Sequence, residues 1–86
     1  MKINKDDIKK RIIYRASYRG TKELDILISS FVNKIINDLN DDEILQLEKF
    51  VNMDDQELSK LNKNYKESDN PKLDKICKKF YNFKPL

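Results

Sequence analysis

Histidine and tryptophan are both missing from the 86 residues, glycine and cysteine occur once each, and proline occurs twice. Without histidine the chain has no Ser-His or Cys-His nucleophile pair, no imidazole metal ligand and no imidazole proton shuttle. A single cysteine forms no internal disulfide, and a zinc site draws its four ligands mainly from cysteine and histidine. Nothing here argues for an oxidising compartment, so a bacterial cytoplasm is the expected setting, or an organelle matrix if a transit peptide has been removed. No apolar run approaches the roughly 18 residues that span a bilayer. The opening Met1 to Asp7 is charged and leads into no apolar stretch, so it does not read as a signal peptide, and no membrane insertion is expected. A chain of this length has room for one small domain, expected over 1–86, with 81–86 as a loose C-terminal tail.

What the chain does have is charge. Charged residues make up 38% of it and apolar residues another 38%, so surface and core compete closely. The net charge of +3 hides a segregated pattern. Residues 1–22 carry eight basic and two acidic side chains, residues 23–57 two basic and ten acidic, and residues 58–86 eight basic and three acidic. A nucleic-acid binder usually shows a basic face without a strongly acidic middle. Such a block suits either a solvated surface or steering towards a protein partner.

The periodicity is helical throughout. Beta-branched residues do not alternate with polar ones, and no Asn-Gly or Asp-Gly hairpin signal occurs. Asn4 predicts the cap of a first helix from about Lys5 to Tyr18, with Ile8, Ile12 and Ala16 on one stripe and Ile13 beside it. A second helix, about Thr21 to Leu39, places Leu24, Leu27, Ile28, Phe31, Ile35, Ile36 and Leu39 on a buried face. Asn40 with Glu43 resembles a capping box and opens a third helix carrying Ile44, Leu47, Phe50 and Val51. Asp54 to Glu57 repeats that signal before Leu58 and Leu61. Lys63 to Asn70 reads as a polar loop, and Asn70-Pro71 starts a last helix presenting Leu73, Ile76, Cys77 and Phe80. Phe83 and Leu86 could dock on the bundle from the tail. The expected fold is an all-α bundle of about five short helices, monomeric alone.

Gly20 is the position that asks for an explanation. A lone glycine between helices usually sits in the left-handed C-cap conformation. Its neighbours suggest more: Arg15, Arg19 and Lys22 lie beside it, and Glu23 and Asp25 follow at once. Without a side chain, Gly20 lets another backbone approach, while Arg19 and Glu23 frame the bare spot with a fork donor and a carboxylate. That is a recipe for gripping a protein surface and a poor one for catalysis.

Tyr18-Arg19-Gly20-Thr21-Lys22-Glu23-Leu24-Asp25 resembles the Arg-Gly-x-x-Glu signature of the SdhE flavinylation factors, counterparts of the mitochondrial succinate dehydrogenase assembly factor. Arg11-Ile12-Ile13-Tyr14-Arg15 resembles the start of that motif. Asp41-Asp42-Glu43, Phe50-Val51, Asp54-Asp55 and Leu58 resemble the family's second block, so the likeness covers about residues 8–61. Two positions depart from it: Leu61 stands where many members carry Trp, and Gln56 where many carry Pro. The resemblance implies a five-helix assembly chaperone, not an enzyme, that binds the flavoprotein subunit of succinate dehydrogenase and, in some bacteria, of fumarate reductase. It further implies that FAD becomes covalently attached to a histidine of that partner, with no cofactor held stably by the chaperone. On this reading Arg19, Gly20 and Glu23 form the docking centre, supported by Arg11, Arg15 and Asp25.

The competing class is a small helical nucleic-acid-binding or regulatory adaptor module, using Lys9, Lys10, Arg11, Arg15 and Arg19, with the acidic block from Glu23 onward against it. Cys77 reads as a buried, inert thiol. Tyr14 and Tyr18, four apart and off the apolar stripe, suit either the core margin or a partner. The acidic runs at 41–43 and 54–55 read as helix starts and not metal ligands. Lys72, Lys75, Lys78 and Lys79 read as a solvated face.

Overall fold

The Asn4 side chain accepts hydrogen bonds from the backbone N–H groups of Asp6 and Asp7 at 3.1 and 3.2 Å, and α1 (Lys5–Ser17) starts there. The architecture is that of a computed structural model describing residues 4–65 and 67–83. Ile8, Ile12 and Ala16 are buried on one side of α1, as their spacing predicts. The helix ends one residue earlier than expected, with Tyr18 leaving the helical region. Gly20 is not a left-handed cap, because no described residue has a positive φ.

Thr21 caps α2 (Lys22–Ile35) by accepting from the Leu24 amide at 3.2 Å. The expected long helix does not continue to Leu39. Its end tightens into a 3₁₀ turn, Ile36–Asp38, and Leu39 is extended. Ile36, opening the turn, and Leu39, extended just past it, are both still buried in the core. Val32, four residues after Ile28 and absent from the expected stripe, is buried as well. Lys5 Nζ donates to the Leu39 carbonyl at 2.9 Å, tying the start of α1 to this corner.

The capping box of α3 (Asp41–Val51) forms reciprocally: Asn40 accepts from the Glu43 amide at 2.8 Å, and Glu43 accepts from the Asn40 amide at 3.0 Å. No such box forms at α4 (Asp55–Lys63), where Asp54 is extended but its side chain makes no capping bond. Asn70 then caps α5 (Pro71–Asn82) with Pro71 in the first turn, and donates from Nδ2 to Gln46 at 3.1 Å. Tyr81 and Asn82 are helical, so the described part of the tail is more ordered than expected; Leu86 lies outside the described residues. Phe83 packs back on the core, its ring centroid 5.5 Å from that of Phe31.

These are five α-helices with no strand among the described residues, an all-α bundle. Helix α1 packs on α2 and α3, and α5 on α3 and α4. At the centre, Phe31, Phe50 and Phe80 meet pairwise with centroids 5.0–5.5 Å apart and tilted planes. Tilted aromatic contacts at this distance are favourable beyond the area they bury. Cys77 is buried, and burial pushes its thiol pKa up, which keeps it protonated.

One buried acid was not anticipated. Asp74, 6% exposed, accepts from the Tyr65 hydroxyl, from the Ser68 amide at 3.0 Å, and faces Lys78 Nζ at 3.6 Å. It thereby fastens Tyr65 and Ser68 to α5. The Tyr65 hydrogen bond is the main cause that lowers the Asp74 pKa, and the Ser68 amide adds to it. A lowered folded-state pKa stabilises the fold above the ordinary carboxylate range, near pH 4, and that contribution fades as pH falls through the lower folded value. Asp74→Ala is therefore expected to lower the Tm at pH 7, with the gap from wild type narrowing below about pH 4. Thermal melts across pH check this; a gap independent of pH would contradict it.

Candidate functional site

Between α1 and α2 the chain reverses through Tyr18 to Thr21, and Arg19 turns inward. Its backbone N–H donates to the Asp25 carboxylate in the first turn of α2. Its guanidinium reaches across to the other side of the bundle, with the side chain only 3% exposed. Nη1 lies 3.2 Å from Asp55 Oδ1, and Nη2 donates to the Val51 carbonyl at the end of α3. The other Asp55 oxygen accepts from the Gly20 backbone N–H at 2.8 Å. One carboxylate at the start of α4 thus holds two consecutive residues of the motif.

Burial is the main cause that lowers the Arg19 pKa; Asp55 opposes it and the nearby Arg15 reinforces it. Arginine titrates so high that the group stays protonated regardless. Among the described residues Nε has no partner, so the guanidinium is held by Asp55 and Val51. Losing Asp55 would leave an uncompensated buried charge.

This corrects two expectations. Arg19 is not an exposed fork framing a bare spot; it is an internal clamp. The close approach that Gly20 permits is made by this chain's own Asp55, whose Oδ2 would stand 2.9 Å from an added Cβ. The residue itself remains on the surface, and so do Lys22 and Glu23 at the start of α2. Asp25 is half-buried and committed to the Arg19 amide, so it shapes the loop.

The two earlier cations of the motif lie outside, on α1. Arg11 donates from Nε to Glu48 at 2.9 Å and from Nη2 to its other oxygen at 3.4 Å, a forked pair that raises the Arg11 pKa. Arg15 is exposed. Next to it Tyr14 and Tyr18 are 66% and 67% exposed, with ring centroids 4.6 Å apart. Both tyrosines are therefore exposed and do not pack at the core margin. A concavity of about 560 Å³ opens beside them, lined by residues that include Lys10, Tyr14, Arg15, Glu48 and Val51. A second groove, of about 340 Å³, runs between α2 and α4 past Glu23, Leu27, Asp55 and Ser59.

Asp55 was missed as a site residue. The sequence places it in a helix-start signal, and only the packing of α4 beside the α1–α2 loop brings it to Arg19.

The motif arginine is thus locked inside the bundle, and the exposed edge beside it is aromatic and cationic. The model of a protein family described as the flavinator of succinate dehydrogenase matches residues 10–84, and the chain belongs to that family. A curated relative, succinate dehydrogenase assembly factor 2-B, mitochondrial, from Drosophila willistoni, is 41% identical over 44 residues. That stretch is 51% of this chain and 28% of the fly protein. No solved structure matches.

The lock makes an asymmetric prediction. Asp55→Ala should cost about 1–3 kcal/mol, because it strands a buried guanidinium. Arg19→Met should cost less, because it removes the charge and leaves Asp55, 35% exposed on its side chain, free to meet water. Denaturant titrations of the two variants check the order; Arg19→Met as the more damaging change would contradict it.

Proposed function

We propose that this chain is an assembly factor that docks on the flavoprotein subunit of succinate dehydrogenase and promotes covalent attachment of FAD to that subunit. The observation that carries this reading is family membership over residues 10–84, a span that takes in the whole Arg19–Asp55 lock. The named role of the fly relative, an assembly factor for succinate dehydrogenase, points the same way. A fumarate reductase flavoprotein subunit is a second proposed client.

The chain's own chemistry suits a helper that binds without catalysing. It has no histidine, its cysteine is buried, and its most buried charge is paired. Promotion then comes from differential binding: a helper that favours the attachment-competent arrangement of its client shifts the population towards it. About 1.4 kcal/mol of such preference shifts the balance tenfold. The acceptor for FAD belongs to the client, and so does FAD itself on this reading. Phosphate recognition by backbone needs a glycine-rich turn with free amides. The chain's one glycine gives its amide to Asp55, so its residues do not fit a dinucleotide site of that kind.

The nucleic-acid alternative loses ground on two positions. Arg19 is inside, and Arg11 is paired with Glu48, so two of the five cations it needs are tied up. A bacterial cytoplasm or an organelle matrix remains the proposed setting, with the chain monomeric on its own. No helix among the described residues is long and apolar enough to cross a membrane.

Co-expression with the flavoprotein subunit, scored by in-gel flavin fluorescence, tests the function. Glu23 is exposed at the first turn of α2, so Glu23→Ala should keep the helix content of wild type. It should lower covalent flavin about fivefold, the effect of losing about 1 kcal/mol of binding. Gly20→Arg, which also pushes on Asp55, should lower it further. Flavin yields equal to wild type in both variants would overturn the docking role of this edge.

A further inference from the structure

The outer face of α1 carries features that the lock does not use. Tyr14 and Tyr18 stack at 4.6 Å with two-thirds of each residue in solvent. Exposed tyrosines held against each other offer broad contact area at small entropic cost, the usual character of an interface anchor. Lys10 and Arg15 flank them, and among the described residues neither pairs with a carboxylate. Arg11 is the third cation of the face, already neutralised by Glu48.

The face is also continuous with the motif loop. Val51 lines the concavity beside Tyr14, and its carbonyl takes the Arg19 guanidinium. Tyr18 precedes Arg19 directly, and Arg15 is near enough to depress the Arg19 pKa. Whatever grips the Gly20–Glu23 edge from the α1 side therefore meets the tyrosines.

We infer that the Tyr14–Tyr18 pair, with Lys10 and Arg15, is the anchor that seats a carboxylate-rich stretch of the client flavoprotein's surface in the adjoining concavity. This rests on the function proposed above and supplies its specificity: aromatic contact gives affinity, and two free cations select an acidic surface. Charge complementarity decides the occupant. Two unpaired cations beside a pair of rings suit carboxylates interspersed with apolar side chains. A polyphosphate strand suits the face less, since Glu48 lines the concavity and Asp7 stands within electrostatic reach of Arg11. The tyrosines were left open between core and partner in the sequence; their exposure assigns them outward.

The test is a binding titration of the full chain with the purified flavoprotein subunit, at low and high salt. The variants are Tyr14→Ala/Tyr18→Ala and Arg15→Glu; the exposure of all three side chains predicts a bundle that stays folded by circular dichroism. The double tyrosine variant is expected to raise the Kd about tenfold or more. Arg15→Glu should raise it at low salt and flatten the salt dependence, because the attraction it removes is the screened one. Wild-type binding that both variants match within about twofold, the reproducibility expected of near-neutral interface contacts, would overturn this surface and leave the function standing. No binding by wild type would remove both. Equal or tighter binding of single-stranded RNA, falling steeply with salt, would overturn it in favour of a nucleic-acid face.

Discussion

A guanidinium with 3% of its side chain in solvent needs a carboxylate, and the geometry of this protein around Arg19 follows from which carboxylate that is. Asp55 belongs to the first turn of α4, and Arg19 to the link between α1 and α2. Their pairing, with the Val51 carbonyl at the end of α3, gathers four helices at one corner of the bundle. The same Asp55 carboxylate fixes the Gly20 amide. Breaking a buried pair of this kind from one side is costly, so the loop holds one arrangement. That constraint gives an alternative account of an arginine and a glycine side by side: each is required by Asp55 before any partner arrives.

The consequence for function is a division of labour along the motif. Arg19, Gly20 and Asp25 fix the loop; Arg15 on α1 and Lys22 and Glu23 at the start of α2 stand exposed on either side of it. Under the function proposed above, preorganisation of this sort lowers the entropy lost on binding a client. The opposite end of the molecule uses the same device for another purpose: Asp74 collects Tyr65, Ser68 and Lys78 and so ties Tyr65 and Ser68 to α5.

Most of the fold was legible because it is written in local signals. Asn4, Asn40 and Asn70 each stand just before the helix they cap, and the apolar stripes of α1, α3, α4 and α5 fall where the 3.6-residue period puts them. The differences occur where local rules compete with packing. The end of α2 reads as continuous helix by periodicity, yet a 3₁₀ turn opened by Ile36, with Leu39 extended just past it, keeps both in the core and lets the chain turn sooner. The site was half legible. Residue types and spacing singled out the stretch around Gly20, but they give no direction for a side chain. Arginine and glycine next to acids read equally as an outward fork or an inward clamp. Choosing between them requires knowing that Asp55, 36 residues away from Arg19, is the acid that comes close, and ten acidic side chains in the central block were available for the part. Asp74 escaped notice for the same reason: an acid four residues before a lysine on a helix usually makes a solvated pair, and its burial is set by Tyr65 from outside the helix.

The account's central claim is that Asp55 holds the motif loop from within. Amide hydrogen exchange at Gly20, followed by NMR in the free protein, tests it most directly, since that N–H is exposed in sequence context yet bonded to Asp55. The account predicts exchange slowed well below that of an unstructured glycine in wild type, and restored to the unstructured rate in Asp55→Ala under conditions where the rest of the bundle stays folded. A Gly20 amide that exchanges freely in wild type would contradict it.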